Sequence, residues 1–312
     1  MRRDGTMSGK HKQPFHRFFH FIILGAILPV SLVFPLWAQS IPPGEVKIST
    51  PAYAPSLSFK PLMGTYAYSV SWNGIPAASL ELEVGRNGDD YELKARAQTA
   101  KAIDLIYKLR YHSETVISAK TMAPKRSVSV TITNSKEKST ELEFLPGGEI
   151  HAKEKDQRGR QKTLQFGSSN FTLDPYSAGF LALSQDWKVG DIRQFDTFNG
   201  KHRYLIELSA LEKTEITVGG KVRKAVVIRP SIKKLTDTSP DPKKLREARI
   251  YISTDDSREI LKISSEVFIG TVNTNLVSFT PASVPKTGPA VKPDSPKAPT
   301  PDKPVFKNNR LP

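Results

Sequence analysis

The sequence predicts a mainly β protein, a curved antiparallel sheet or open β-barrel with one or two short helices. Apolar and polar side chains alternate over many short segments, which is the two-residue period of a half-buried strand. Turn dipeptides separate these segments at Asn73-Gly74, Asn199-Gly200 and Gly219-Gly220. Only the stretch that begins at Asp174 carries a strong helix start.

The first predicted hairpin surrounds Asn73-Gly74. The strand before this turn carries apolar side chains at every second position (Tyr66, Tyr68, Val70, Trp72). A strict two-residue turn places Tyr66 opposite Glu81, whereas one additional residue places it opposite Leu82. A one-residue slip moves every side chain to the other face of the sheet. We therefore predict the Tyr66–Leu82 register, with a bulge in the loop.

A further hairpin is predicted around Asn199-Gly200. A two-residue turn at this position pairs Phe195 with Tyr204 and Asp196 with Arg203. Both are favourable cross-strand pairs, one aromatic and one of opposite charge.

Two segments have helical patterns. Asp174-Pro175 predicts a helix over residues 174–184, because Asp caps free N–H groups and Pro suits the first helical position. Residues 99–106 fit a short helix with Thr99 as its N-cap, and continuation of the preceding strand is the alternative.

Residues 1–40 are predicted to be a secretory signal. Basic residues precede an apolar run over residues 18–37, and Ala38 and Ser40 supply the small-x-small pattern of a cleavage site. The alternative is an uncleaved inner-membrane anchor facing the periplasm, because the run is about long enough to span a bilayer. Both interpretations predict an exported, periplasmic protein.

The remaining chain divides into three parts by composition. Residues 41–62 hold five prolines and read as an extended linker before a β-rich domain over residues 63–280. Residues 281–312 contain nine Pro, six Lys or Arg and two Asp, a composition that predicts a disordered tail.

Composition limits the chemistry and the partners. The 312 residues include no cysteine, which excludes disulfides, thiolate nucleophiles and Cys-based metal sites. Without residues 1–40 the chain keeps 41 basic and 30 acidic residues, a balance that favours an anionic lipid, a glycan or an envelope protein as partner. The alternative is that the positive charge serves only to keep the protein soluble. No nucleic-acid motif is present, and membrane contact is expected only through the signal or anchor segment. The oligomeric state is left open.

Several motifs occur in an order that resembles one protein family. They are Tyr66-x-Tyr-x-Val-x-Trp-Asn-Gly-Ile, Asp174-Pro175-x-Ser177, Val189-Gly190-Asp191, Asn199-Gly200-Lys201-x-x-Tyr204, Ile252-Ser253-Thr254-Asp255 and Glu266-Val267-Phe268-Ile269-Gly270. Over about residues 60–280 the chain resembles domain of unknown function 3108 (DUF3108), found in bacterial envelopes. It departs from the pattern at Tyr251, where a Trp is expected, and at the helix end, which reads Ala-Leu-Ser without an Arg. The resemblance implies a fold and a location but no activity.

No catalytic constellation is recognisable. Outside residues 1–40 the only histidines are His112, His151 and His202, far apart and without metal-ligand spacing. Neither a nucleophile elbow nor a phosphate or dinucleotide loop is present. We therefore expect no catalytic residue, cofactor or metal, and a protein more consistent with binding than with catalysis.

The candidate binding residues are aromatic. Core packing is their ordinary role, but a curved sheet around one helix also leaves an apolar groove, and Tyr and Trp suit its wall. The predicted cavity-lining set is Tyr66, Tyr68, Trp72, Phe195 and Tyr204. The hypothesis is an envelope protein that binds an amphiphilic ligand or a protein partner in the concave sheet. The alternatives are a hydrolase of envelope polymers and a structural module that uses an exposed edge strand.

Overall fold

The computed structural model describes residues 53–235, 247–267 and 270–282. These residues form fifteen strands and two short helices, α1 (Lys101–Asp104) and α2 (Pro175–Leu183). The strands are β1 (Gly64–Trp72), β2 (Ile75–Asn87), β3 (Asp90–Thr99), β4 (Leu109–Ser118), β5 (Pro124–Thr133), β6 (Lys136–Phe144), β7 (Glu149–Lys155), β8 (Gln161–Gly167), β9 (Thr172–Leu173), β10 (Ile192–Phe198), β11 (Arg203–Val218), β12 (Lys221–Lys234), β13 (Glu247–Ser253), β14 (Ile260–Glu266) and β15 (Thr271–Pro281). The predicted mainly β fold is confirmed.

All fifteen strands belong to one open sheet that does not close into a barrel. Its order is β8-β7-β6-β5-β4-β3-β2-β1-β15-β14-β13-β12-β11-β10-β9. Neighbouring strands are antiparallel except for β9 and β10, which are parallel. The sheet therefore consists of two meanders, β1–β8 and β10–β15, joined where the first strand pairs with the last.

The pairing of β1 with β15 forms the seam between the meanders. It runs from Gly64 opposite Pro281 to Trp72 opposite Val272. A Cβ atom at Gly64 would lie 2.2 Å from the carbonyl oxygen of Thr280, so only glycine permits this close approach of the two backbones.

The first hairpin has the predicted register. Tyr66 lies opposite Leu82, and Asn73 and Gly74 form a two-residue turn with positive φ at both positions. The additional residue lies in β2 rather than in the turn, at Ala77, where the register shifts. The bulge keeps the aromatic side chains of β1 and the leucines of β2 on one buried face.

The predicted pairing of the second hairpin is wrong. Phe195 lies opposite Ile206 rather than Tyr204, and Asp196 lies opposite Leu205 rather than Arg203. The strands are joined by the four residues 199–202, not by two.

Local hydrogen bonds explain this longer turn. The side-chain oxygen of Asn199 accepts the backbone N–H groups of Lys201 (3.1 Å) and His202 (2.9 Å), which stabilises a wider loop. The turn also rests on β6, since a Cβ atom at Gly200 would lie 2.2 Å from a methyl group of Thr140.

Helix α2 begins as predicted. The carboxylate of Asp174 accepts the backbone N–H of Tyr176 at 2.9 Å and the backbone N–H and hydroxyl of Ser177. Burial raises the pKa of Asp174 above its ordinary value, and these hydrogen bonds oppose the rise. The Tyr176 hydroxyl donates to that of Tyr111 at 3.0 Å, which ties the helix to β4 inside the core.

Helix α1 is shorter than predicted. It covers Lys101–Asp104, and its N-cap position is Ala100 rather than Thr99, which ends β3. The Thr99 hydroxyl instead accepts the backbone N–H of Leu109 at 3.0 Å and contacts the carboxylate of Asp104. Because Thr99 bridges both sides of the loop, it closes the loop and does not cap the helix.

The described part of the predicted linker, residues 53–62, packs on the sheet. The Tyr53 ring lies 5.1 Å from the ring of Phe195, and its hydroxyl accepts the backbone N–H of Gln194 at 3.1 Å. The predicted signal, the first part of the predicted linker, residues 236–246 and the predicted tail from residue 283 lie outside the described residues.

Because consecutive strands of each meander are antiparallel, the turns between them alternate between two opposite ends of the sheet. The upper end is defined by the turns at 73–74, 100–108, 134–135, 156–160 and 199–202. The lower end carries the turns at 88–89, 145–148, 219–220 and 254–259.

Candidate functional site

The predicted aromatic set lies in two regions of the sheet. Tyr66, Tyr68 and Trp72 lie on β1, whereas Phe195 and Tyr204 lie on β10 and β11. Tyr66, Tyr68, Phe195 and Tyr204 are 3–6% exposed, and Trp72 is half-buried. Their packing in the core accounts for the sequence alternation, and a cavity lined by them stays a prediction.

Burial affects the pKa of the two tyrosine hydroxyl groups on β1. It raises the pKa of both Tyr66 and Tyr68 above the ordinary tyrosine value, with the Glu259 charge adding to the effect. The Tyr66 hydroxyl donates to the backbone carbonyl of Leu62 at 3.3 Å. Both groups therefore stay neutral at physiological pH and act as core polar groups.

A pocket of about 360 Å³ lies between the β11–β12 turn and strands β13–β15. Tyr251, Lys262 and Asn275 are adjacent cross-strand neighbours along one wall. The Lys262 ammonium lies 5.7 Å from the centre of the Tyr251 ring, a cation–π distance. The wall presents one cation, already engaged with a ring.

A second apolar cluster lies apart from the main core. It contains Leu142, Ile150, Ala152, Phe166 and Phe198. The rings of Phe166 and Phe198 meet edge to face at 5.0 Å, which fixes β10 against the face of β6–β8. The two meanders therefore meet a second time here, away from the seam.

A buried ion pair holds this second contact. Arg203 and Asp196 are both about 1% exposed. The Arg203 guanidinium donates to Asp196 at 2.8 Å and to the Ser168 hydroxyl at 2.8 Å. Asp196 also accepts hydrogen bonds from Asn170 at 3.1 Å and Thr172 at 3.0 Å. The pair thus ties β10 and β11 to the segment that follows β8.

Above the second apolar cluster, the same face becomes charged. On β7, Glu154 lies two residues beyond Ala152, and it is directly opposite Lys162 of β8. Lys138 of β6 forms a 2.8 Å ion pair with Glu154. Alternate strand residues share a face, so these charges continue the apolar surface toward the upper end.

Lys201 completes this charged group from the other meander. Its turn rests on β6 at Gly200, and the charges of Glu154, Lys138, Lys162 and Lys234 act on its ammonium. We call Lys138, Lys162, Lys201 and Lys234, with Glu154, the lysine cluster. Burial lowers the pKa of Lys201; Glu154 raises it, and the other lysines lower it further.

The lysine cluster suits an anionic group. Lys138 pairs with the Glu154 carboxylate, and Lys162 and Lys201 are exposed. Ammonium groups bind phosphate or carboxylate oxygens as point charges with three donors. Sequence reasoning missed these residues. The only signal was the charge density of residues 151–162, and nothing in the sequence placed Lys201 beside them.

The described parts of the chain bring no three His, Asp or Glu side chains together in a way that holds a metal ion. His112 and His151 each contact a glutamate two residues away, Glu114 and Glu149. Neither α1 nor α2, the helices of the described residues, has the length and apolar content to cross a bilayer.

Comparison with known proteins places the chain in a family. A family model described as "Protein of unknown function (DUF3108)" matches residues 67–277. The chain belongs to the DUF3108 family. The match covers most of both meanders, so most of the seam, the second apolar cluster and all five residues of the lysine cluster lie within the family domain. No curated protein matches this DUF3108 chain.

A solved structure shares the fold at low sequence identity. A β-barrel-like protein of domain of unknown function DUF1849 from Brucella abortus has 10% identity and a TM-score of 0.51, over 72% of this chain and 100% of that one. A putative lipoprotein from Parabacteroides distasonis has 10% identity and a TM-score of 0.31, over 72% and 98%. The first likeness shows the fold of the DUF3108 domain and nothing about its function.

Proposed function

We propose that this DUF3108 protein is exported to the periplasm and binds an anionic amphiphile of the cell envelope at the lysine cluster. The observation that carries the proposal is the position of the cluster. Lys138, Glu154 and Lys162 lie on the same sheet face as the second apolar cluster and directly above it. An amphiphile needs this sequence of apolar and cationic surfaces for its chain and its headgroup.

Electrostatics support an anion at this position. Glu154 pairs with Lys138 at 2.8 Å, and the charges of Lys138, Lys162 and Lys234 all act on the Lys201 ammonium. A bound phosphate or carboxylate adds negative charge beside these ammonium groups and offsets the repulsion between them. Phe144 and Leu164, which are half-buried beside the apolar cluster, offer contact for a chain.

Removal of two lysines tests this site. In Lys162→Gln/Lys201→Gln we expect affinity for short-chain phosphatidic acid, measured by isothermal titration calorimetry below its micellar concentration, to fall by about tenfold or more. Wild-type affinity should fall as salt is raised, since exposed charges are screened over about 10 Å at moderate ionic strength. Inorganic phosphate, titrated in parallel, separates headgroup binding from binding of the whole amphiphile.

The matched control removes two lysines elsewhere. Lys120→Gln/Lys221→Gln carries the same change in net charge at the lower end and should bind as the wild type does. Equal losses in both double variants, or no wild-type binding, would refute the lysine cluster as a site. Because the pKa of Lys201 lies below the ordinary 10.5, affinity should decline with rising pH before ordinary lysines lose their charge.

If the protein is exported with cleavage of its signal, its N-terminus can be predicted. Cleavage after Ser40 yields a chain that begins at Ile41, because Ala38 and Ser40 occupy the positions that signal peptidase reads. N-terminal sequencing and intact mass of the protein from the periplasmic fraction should show this terminus. Bulky substitutions at Ala38 and Ser40 should block processing. An intact N-terminus in the wild-type protein would favour the retained anchor.

A further inference from the structure

Two neighbouring apolar side chains project from the β3–β4 loop. Leu105 is 89% exposed and Ile106 is 61% exposed. Single exposed apolar residues are common on soluble proteins, but a pair at a loop tip exposes a larger apolar surface. Ile75, in the adjoining strand β2 at the same upper end, is also 61% exposed. The upper end therefore carries these exposed apolar side chains as well as the lysine cluster.

The loop that carries this pair is firmly held. The backbone N–H of Tyr107 donates to the carbonyl of Ile103 at 2.8 Å, and the Tyr107 side chain is fully buried. On the far side, the backbone N–H of Lys108 donates to the side-chain oxygen of Asn134 at 2.8 Å. Leu105 and Ile106 thus lie between residues that are held by hydrogen bonds.

An ion pair joins the two sides of the loop, with one partner before the apolar pair and one after it. Asp104, the residue before Leu105, pairs with Arg110, and one guanidinium N–H to carboxylate distance is 3.0 Å. The hydrogen bond from Arg110 lowers the pKa of Asp104 to about 2, so the pair persists across physiological pH. These restraints hold the apolar tip in a fixed position.

The charges around the loop indicate what covers the tip. Lys101 and Lys108 are exposed within the loop itself. Arg110 of the adjoining strand β4, by contrast, is paired with Asp104. Apolar side chains surrounded by unbalanced lysines are the pattern of proteins that lie on anionic membranes.

We infer that the upper end docks on an anionic lipid bilayer, with Leu105 and Ile106 inserted at the boundary between headgroups and acyl chains. Lys101 and Lys108 then meet the headgroups. This rests on the proposed function in one respect: it names the bilayer as the source of the anionic amphiphile that the lysine cluster receives. The orientation also turns that cluster toward the lipid surface.

The chain offers a specific probe of insertion because it contains no cysteine. In Ile106→Cys, labelled with an environment-sensitive fluorophore, we expect a blue shift with phosphatidylcholine–phosphatidylglycerol vesicles and a weaker one with phosphatidylcholine alone. The same label in Val222→Cys, at the lower end, should not respond. This readout reports burial of the tip even if residues 18–37 are retained as an anchor.

A binding measurement completes the test. With the protein in the form that cells export, Leu105→Ser/Ile106→Ser should reduce partition onto the anionic vesicles by about tenfold or more, from lost apolar burial. Leu57→Ser/Val222→Ser removes two exposed apolar side chains elsewhere and should leave partition unchanged. A silent label at position 106, or equal partition of the two double variants, would overturn membrane docking.

The two proposals fail in different ways. If short-chain phosphatidic acid binds and requires Lys162 and Lys201 while the label at 106 is silent, the binding site stands and docking is wrong. If the label responds but the short-chain lipid does not bind, docking stands without a headgroup site at the lysine cluster.

Discussion

Asp196→Asn is expected to lower the free energy of unfolding by about 3–5 kcal/mol, the typical result of removing one member of a buried ion pair. Arg203 is 1% exposed, and its guanidinium would lose its charged partner without gaining access to water. Urea denaturation followed by circular dichroism measures the change. A reduced urea midpoint with an unchanged slope would show that stability alone has changed.

A surface pair provides the matched control. Glu247→Gln removes the same kind of charge from the Glu247–Arg249 pair, in which both side chains are more than a third exposed. We expect little change, because water screens such pairs. If Asp196→Asn were as mild as the control, the contact between the meanders would not depend on the Asp196–Arg203 pair. Replacing both partners with apolar residues of similar size should recover much of the loss.

Leu181→Ala should be comparably severe, with a loss of about 2–5 kcal/mol from transfer and cavity terms. Leu181 is fully buried at the centre of α2, where Phe180 and Ala182 are buried beside it. Alanine leaves a void beneath the helix that rigid neighbouring strands fill only in part. Thermal and urea unfolding both measure the effect.

Leu183→Ala separates this cavity effect from helix propensity. Leu183 lies in the last turn of the same helix but is only half-buried. The substitution is chemically the same, so the helical preference changes equally in both variants. Similar losses at the two positions would mean that α2 is held by its backbone contacts and cap rather than by the Leu181 side chain.

Local patterns predicted the elements that depend on neighbouring residues. The Tyr66–Leu82 register followed from matching apolar faces, since a one-residue slip buries Glu81. The start of α2 followed from Asp174 and Pro175, whose roles are set within one turn of helix. In both cases the determining contacts lie within about twenty residues along the chain.

Predictions failed where distant contacts decide the geometry. A two-residue turn at Asn199-Gly200 was reasonable locally, but the loop widens around the Asn199 side chain and rests on Thr140 of the other meander. The lysine cluster was missed for the same reason. Lys201 meets Lys162 only because the sheet brings β10 to β8, and that arrangement has no short-range signature in the sequence.

The union of the first strand with the last constrains how such a chain matures. Strand β1 has no partner on one side until β15 has been synthesised, more than 180 residues after β1 ends. Contacts of such long sequence separation form slowly, and a nascent chain cannot make them early. A polypeptide of this design therefore stays incompletely folded until almost all of it has left the ribosome.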